Sequence, residues 1–295
     1  MYNNRYDIEG CANTDTNRDK LYCVNFNEGY EQFKDILKEM VKENYSSTFY
    51  KFSDGEFLFM QGIENGGSTD PGCRDTNVGA TKLNLTPFRE GVLKNDYYMV
   101  ESYQGAHAYW NNSFPGKPIN IAAEWVYGLV ANKWLLKTFK GQIGIIGAQE
   151  KLELIQELLE HKEYRDYLGI DKFEDYICIP QRYACDNIEE TDRIIKEQLK
   201  NAKSKIFLEG IGHAKQALLW RMKEYHPAVY LTVGSGICAL AGVQDCIGRP
   251  YFADWKNYRI KGYDYSKIDI WKESGTEDII WLDKDLVSKD KNVIL

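Results

Sequence analysis

Apolar and polar residues follow one another along the chain with periods that predict both helices and strands. Residues 29–44 carry apolar side chains at helical spacing, which predicts an amphipathic helix. Residues 48–52 form a run rich in aromatic side chains, which predicts a strand. A second strand is predicted over 97–101 and a longer helix over 122–138. The first half of the chain therefore mixes helices with a few short strands.

From residue 141 onward, predicted strands and helices follow one another regularly. The predicted strands span 142–147, 175–180, 205–209 and 229–233. Helices are predicted between them, at 150–161, from Asn187 onward and at 213–225. Asn187, with Glu190 three residues later, has the capping-box pattern of a helix N-terminus. Because parallel strands need crossover connections, this succession predicts an α/β fold with a Rossmann-like, mostly parallel sheet and helices on both faces.

The same pattern divides the chain into segments. Residues 1–28 lack a hydrophobic period and predict an irregular N-terminal arm. Residues 29–262 predict a single α/β domain, with a first half at 29–140 and a Rossmann-like half at 141–250. An aromatic-rich stretch ends this domain, and the polar residues 263–295 predict a C-terminal segment that wraps around it.

Composition narrows the class of protein. The 295 residues have a net charge of −7 with both signs interspersed, which argues against a nucleic-acid partner. No apolar run reaches the roughly 18 residues of a membrane span, so no transmembrane segment is expected. The N-terminal residues lack the apolar core of a signal peptide, so we expect a cytoplasmic location, with peripheral membrane association left open. The seven cysteines show no zinc-ligand spacing and are expected to be reduced.

The first predicted strand ends in two carboxylates that flank a glycine, Asp54-Gly55-Glu56. Gly55 permits a sharp turn, and open α/β sheets bind ligands at the carboxyl ends of their strands. Two acidic groups there can share Mg²⁺ or Mn²⁺ through oxygen ligands, and the cation can hold a diphosphate. Taken alone, these residues favour a solvated turn over a site, because Asp-Gly is a common turn dipeptide.

Small and polar residues also follow the predicted strands of the second half. They are Gly147 after the strand at 142–147, Gln181 and Arg182 after 175–180, and Gly234 and Ser235 after 229–233. Each is a candidate to contact a ligand at the sheet edge, although Gly234 is also consistent with a tight turn.

A further strand-to-helix turn lies at residues 210–215. A helix that begins after Gly212 would direct free N–H groups at an anion, and His213 or Lys215 would add a donor. The full dinucleotide motif G-x-G-x-x-G is absent, because Lys215 occupies the position of its third glycine. The turn therefore indicates an anion site without defining the ligand.

Residues 51–56 resemble the start of the GT-D-type glycosyltransferases. That family has Arg-Phe-Gly-Asp-Gly-Glu after a strand, and this chain has Lys-Phe-Ser-Asp-Gly-Glu. Residues 176–180 resemble the family's strand that ends in proline, and 205–214 resemble its Gly-x-x-Ala turn. Residues 232–235 resemble its Asp-x-Gly turn, with Thr232 in place of the aspartate.

The resemblance implies a metal-dependent glycosyltransferase. Such an enzyme would transfer a sugar from a nucleoside diphosphate sugar, with UDP as the expected nucleotide, to a glycan, glycoprotein or glycolipid acceptor. It implies that Asp54 and Glu56 hold Mn²⁺ or Mg²⁺. With the candidates from the strand ends, the expected donor-binding residues are Lys51, Ser53, Asp54, Gly147, Gln181, Arg182, Gly212, His213, Lys215, Gly234 and Ser235.

Sugar transfer also needs a general base for the acceptor hydroxyl. Glu101 and Glu209 are candidates, because both lie near predicted strand ends. Two other functions stay open at this point. The chain is also consistent with an S-adenosylmethionine-dependent methyltransferase or other Rossmann-type enzyme with its cofactor near 233–236, or with a non-catalytic nucleotide-binding module.

Overall fold

The computed structural model describes residues 26–62, 83–101, 104–180, 184–244, 252, 255–268 and 279–283. The strands are β1 (Ser47–Phe52), β2 (Tyr97–Val100), β3 (Ile121–Ala122), β4 (Ile143–Ala148), β5 (Tyr176–Ile179), β6 (Ile206–Gly210), β7 (Val229–Thr232), β8 (Asn257–Ile260) and β9 (Ile279–Leu282). The helices are α1 (Phe26–Lys42), α2 (Asp54–Met60), α3 (Thr86–Val92), α4 (Gln104–Ser113), α5 (Ala123–Ala131), α6 (Trp134–Thr138), α7 (Gln149–Leu159), α8 (Lys162–Leu168), α9 (Ile188–Leu199), α10 (Lys215–Tyr225) and α11 (Gly236–Leu240). Short 3₁₀ turns lie at Gly212–Ala214 and Tyr265–Lys267.

Within the described part of the chain, seven strands form one sheet in the order β3-β2-β1-β7-β6-β4-β5, and all their pairings are parallel. β1 lies near the middle, where Phe49 is opposite Tyr97 of β2 and Ser47 is opposite Val229 of β7. Strands from both predicted halves of the domain therefore belong to the same sheet. The structure confirms the predicted α/β fold with a Rossmann-like parallel sheet.

Helices cover both faces of this sheet. On one face, Phe49 packs edge-on against Phe33 of α1, with 5.8 Å between ring centroids. On the other face, Phe207 of β6 stacks on Tyr230 of β7, whose hydroxyl donates to the carbonyl of Met222 in α10 at 3.1 Å. Because helices cover both faces, the strands consist mostly of apolar residues, and every residue of β4 is buried.

The prediction of one continuous helix over 122–138 is wrong, because the chain breaks between α5 and α6. The Asn132 side chain accepts a hydrogen bond from the Trp134 backbone N–H at 2.9 Å. Lys133 adopts a left-handed conformation with φ of 62°. Its ammonium group lies 4.1 Å from the centroid of the Tyr167 ring and 5.1 Å from that of Trp255. Local hydrogen bonding by asparagine competes with a helix, which accounts for the break.

The C-terminal segment is described only in part. β8 and β9 form a separate parallel pair, with Tyr258 opposite Ile280. In the aromatic-rich stretch, the buried Trp255 donates through its ring nitrogen to the carbonyl of Ala239 in α11 at 2.7 Å, which anchors this stretch to the domain. Most of the predicted N-terminal arm, residues 1–25, lies outside the described residues. Within the described ranges, no helix combines the length and the apolar composition that a membrane crossing requires.

Candidate functional site

The segment Asp54-Gly55-Glu56 forms the first turn of α2, directly after β1. Ser53 is the N-cap of this helix, and with Glu56 it forms a capping box. The Ser53 backbone N–H and hydroxyl donate to Glu56 Oε2 at 2.8 and 2.9 Å. Glu56 is consequently buried against the end of the strand, whereas Asp54 is exposed and its carboxylate accepts the Gly55 N–H at 2.9 Å. The two carboxylates therefore have different environments.

Two buried lysines converge on Glu56. Lys215, at the start of α10, forms an ion pair with Glu56 Oε1. Lys51 lies with its Nζ 3.6 Å from Glu56 Oε2 and donates to the Ser53 hydroxyl at 2.8 Å. Burial alone would raise the pKa of Glu56, but the two ammonium groups hold that pKa well below its usual range. Glu56 is therefore ionised at neutral pH despite its burial.

Lys51 also connects Glu56 to a second strand, β2. Its Nζ lies 3.2 Å from Oε1 of Glu101, which follows β2 and is buried. Lys215, Glu56, Lys51 and Glu101 thus alternate in charge and span from α10 to the end of β2. These four side chains are called the ion-pair network below. It joins α10, in the second half of the chain, to β1, α2 and the end of β2 in the first.

Glu209, the other predicted base, lies at the end of β6 and is completely buried. Its Oε1 accepts the Ile211 N–H at 2.6 Å, and its Oε2 accepts the Thr232 hydroxyl at 2.7 Å. Burial raises the pKa of this carboxyl. In this structure Glu209 stabilises the turn after β6 and ties it to β7, while Glu101 is paired with Lys51. The assignment of either residue as the general base stays a prediction.

His213 and Tyr50 lie close to the ion-pair network. The His213 ring stacks on Phe59 of α2 with 4.3 Å between centroids, and its Nδ1 lies 3.2 Å from the Gln216 amide nitrogen. Burial lowers the pKa of His213 to about 3, so the ring is neutral at pH 7. Among the described residues, the fully buried Tyr50 hydroxyl has no hydrogen-bond partner, and Lys215 Nζ lies 5.8 Å from the centroid of the Tyr50 ring.

The remaining predicted residues lie at the same edge of the sheet or outside the described part. A Cβ at Gly147 would lie 3.2 Å from Leu152, so this glycine allows α7 to pack closely on β4. Gly212 and Gly234 have φ of 60° and 46°, a conformation that favours glycine. Among the described residues, the Ser235 hydroxyl oxygen is buried without a partner. Gln181 and Arg182 lie outside the described residues, and their assignment stays a prediction.

The donor atoms allow a test of the predicted metal site. Across the described ranges, no group of three or more His, Cys, Asp or Glu side chains is placed to hold a metal ion. Glu56 already accepts hydrogen bonds from Ser53 and Lys215 on its two oxygens, so it does not fit direct coordination in this arrangement. Asp54 is exposed and does fit, because Mg²⁺ is commonly held by one or two carboxylates together with water and substrate phosphates.

We compared the chain with protein-family models, with curated proteins and with solved structures. None of the three comparisons gives a match. The functional interpretation therefore depends on the geometry of the site and on the resemblance in residues 51–56.

Sequence reasoning missed the pairing of Lys51 with Glu101 and the involvement of Tyr50 and Thr232. The sequence does contain a signal for the pairing of Lys51. Lys51 lies between Tyr50 and Phe52 in a predicted strand rich in aromatic side chains, and a lysine that is buried in such a strand requires a partner of opposite charge. No comparable signal marks Thr232, whose role depends on its register opposite Glu209 in the sheet.

Proposed function

We propose that this chain is a glycosyltransferase that uses a nucleoside diphosphate sugar, with UDP as the nucleotide, and a glycan, glycoprotein or glycolipid as acceptor. One observation supports this most strongly. An exposed aspartate, Asp54, adjoins the buried ion-pair network at the carboxyl edge of a parallel sheet. That edge is where open α/β folds bind nucleotides. The resemblance of residues 51–56 to GT-D-type enzymes agrees with this location.

Each group has a task that sugar transfer requires. The acceptor hydroxyl oxygen bonds to the anomeric carbon and gives up its proton to a base, the bond from the anomeric carbon to the diphosphate breaks, and negative charge accumulates on the leaving diphosphate. Mn²⁺ or Mg²⁺ held by Asp54 would neutralise that charge. Backbone N–H groups at the turn Gly212–Ala214, which leads into α10, add fixed positive potential near the same edge. Neutral His213 beside this turn contributes polarity without charge.

The proposal is tested by titrating UDP into the full chain by calorimetry, with Mn²⁺ and then with EDTA. We expect binding with Mn²⁺ and a large loss of affinity for the variant Asp54→Asn. The matched control is Asp35→Asn, which removes an exposed carboxylate of α1 that pairs with Lys38. Folded protein that binds no UDP, or Asp54→Asn protein that binds it like the wild type, would contradict the proposal. Binding of S-adenosylmethionine without metal would favour a methyltransferase instead.

A further inference from the structure

We propose that the two carboxylates of Asp54-Gly55-Glu56 have separate roles. Asp54 shares the cation that accompanies the diphosphate, and Glu56 is a positioning residue that holds Lys51 and Lys215 in place. This inference depends on the proposed function, because the cation is the one bound with the nucleotide. The proposal differs from the resemblance, which implies that both carboxylates of the Asp-x-Glu pair are metal ligands.

The helical conformation of the segment is the first support. Successive residues of an α-helix are about 100° apart around its axis, so residues two apart point in nearly opposite directions. Asp54 and Glu56 are the first and third residues of α2. Accordingly, Asp54 is exposed whereas Glu56 is 5% exposed and directed at the strand end. Two carboxylates in a turn can converge on one ion, but in this helix they diverge.

The partners of Glu56 are the second support. Its Oε2 accepts two hydrogen bonds from Ser53, and its Oε1 is paired with Lys215. A metal ion on Glu56 would displace the Lys215 ammonium group from its partner. Lys215 is 4% exposed, and an unpaired ammonium group in such a position is strongly disfavoured. The residues present therefore stabilise Glu56 as the partner of two lysines.

The charge of the ion-pair network is the third support. It contains two lysines and two glutamates, so it is formally neutral. A nucleoside diphosphate brings further negative charge that the network does not neutralise. A divalent cation supplies the missing charge, and Asp54 is the carboxylate of the pair that can reach it from the exposed side. Glu56 acts on the ligand only through the lysines that it orients.

The test compares the Mn²⁺ dependence of UDP binding in two variants of the full chain. For the wild type, we expect the Kd in EDTA to exceed the Kd in Mn²⁺ by about tenfold or more. We expect this ratio to fall to about 1 in Asp54→Asn and to stay at about tenfold or more in Glu56→Gln. Loss of the ratio in Glu56→Gln, or its persistence in Asp54→Asn, overturns the separation of roles.

A double-variant cycle tests the positioning role by a readout that simple destabilisation would not change. If Glu56 acts in part through Lys215, Glu56→Gln changes the Kd for UDP more in the wild-type background than in Lys215→Met, where only its effect through Lys51 remains, measured on folded protein in each case. Equal effects in both backgrounds overturn the positioning role. Wild-type protein that binds no UDP refutes the proposed function itself, and with it the role of Asp54. The two failures are therefore distinguishable.

Discussion

Replacing Lys215 by methionine removes one of the two cations that neutralise Glu56 but keeps most of the buried side-chain volume. The Glu56 carboxylate would then depend on Lys51, whose Nζ is 3.6 Å away and also serves Glu101. Removing one partner of a buried ion pair costs about 3 to 5 kcal/mol. Because Lys51 and the two Ser53 hydrogen bonds remain, we expect the lower end, about 3 kcal/mol of unfolding free energy.

Urea unfolding followed by circular dichroism measures this loss, and a fall of about 5 to 10 °C in Tm should accompany it. The control is Lys38→Met, because Lys38 pairs with Asp35 in α1 and both side chains are more than half exposed. An exposed pair contributes about 0 to 1 kcal/mol, so the control should change little. Adding Glu56→Gln to Lys215→Met should recover about 2 kcal/mol, because the uncompensated charge is gone. If Lys215→Met costs no more than Lys38→Met, the argument that Glu56 depends on Lys215 is refuted.

Two further predictions concern the elements around the site. Burial raises the pKa of Glu209, so between its unfolded-state pKa of about 4.5 and its higher folded-state pKa the folded state binds more protons than the unfolded state. Over that range the free energy of unfolding falls as pH rises, by up to about 1.4 kcal/mol per unit. Glu209→Gln can accept the Ile211 N–H on its amide oxygen and donate from its amide nitrogen to the Thr232 hydroxyl, which reverses that second bond. This variant should remove the pH dependence, which urea unfolding at several pH values will show; unchanged slopes would contradict the prediction. In α3, a Cβ at Gly91 would collide with the backbone carbonyl of Gln216 and lie 3.0 Å from the Cα of Ala217. Gly91→Ala should therefore lower the free energy of unfolding by about 1 to 3 kcal/mol, whereas the same change in an exposed helix raises it. An unchanged or higher free energy of unfolding would show that α3 and α10 do not pack this closely.

Much of the sheet can be predicted from sequence because its physics is local. The predicted strands at 142–147 and 205–209 have apolar centres, residues 143–146 and 206–208, as expected for strands covered on both faces. Asn187 was correctly predicted as an N-cap, and its side chain accepts the Glu190 N–H at 3.1 Å. The same capping-box pattern occurs at Ser53, where the Asp-Gly turn signal obscured it. The sequence therefore predicts a turn at Asp54-Gly55-Glu56 rather than the first turn of a helix. It does not reveal that the two carboxylates point in different directions.

The ion-pair network shows what local patterns cannot provide. The bond between Ser53 and Glu56 spans three residues and has a visible signature. The ion pair between Glu56 and Lys215 spans 159 residues and depends on how the strands are ordered in the sheet. A buried lysine requires a carboxylate partner, but the sequence offers several acidic residues that could be that partner. The choice among them is made by the fold.

The position of β1 between β2 and β7 has a consequence for how the protein emerges from the ribosome. Ser47 is opposite Val229, so about 180 residues must be synthesised before this pairing can form. At about 5 to 20 residues per second, the wait is roughly 10 to 35 s. Throughout that time one edge of β1, with its apolar side chains, has no strand beside it. Nascent chains of this protein should therefore bind chaperones until translation passes β7, and chains truncated before Val229 should aggregate.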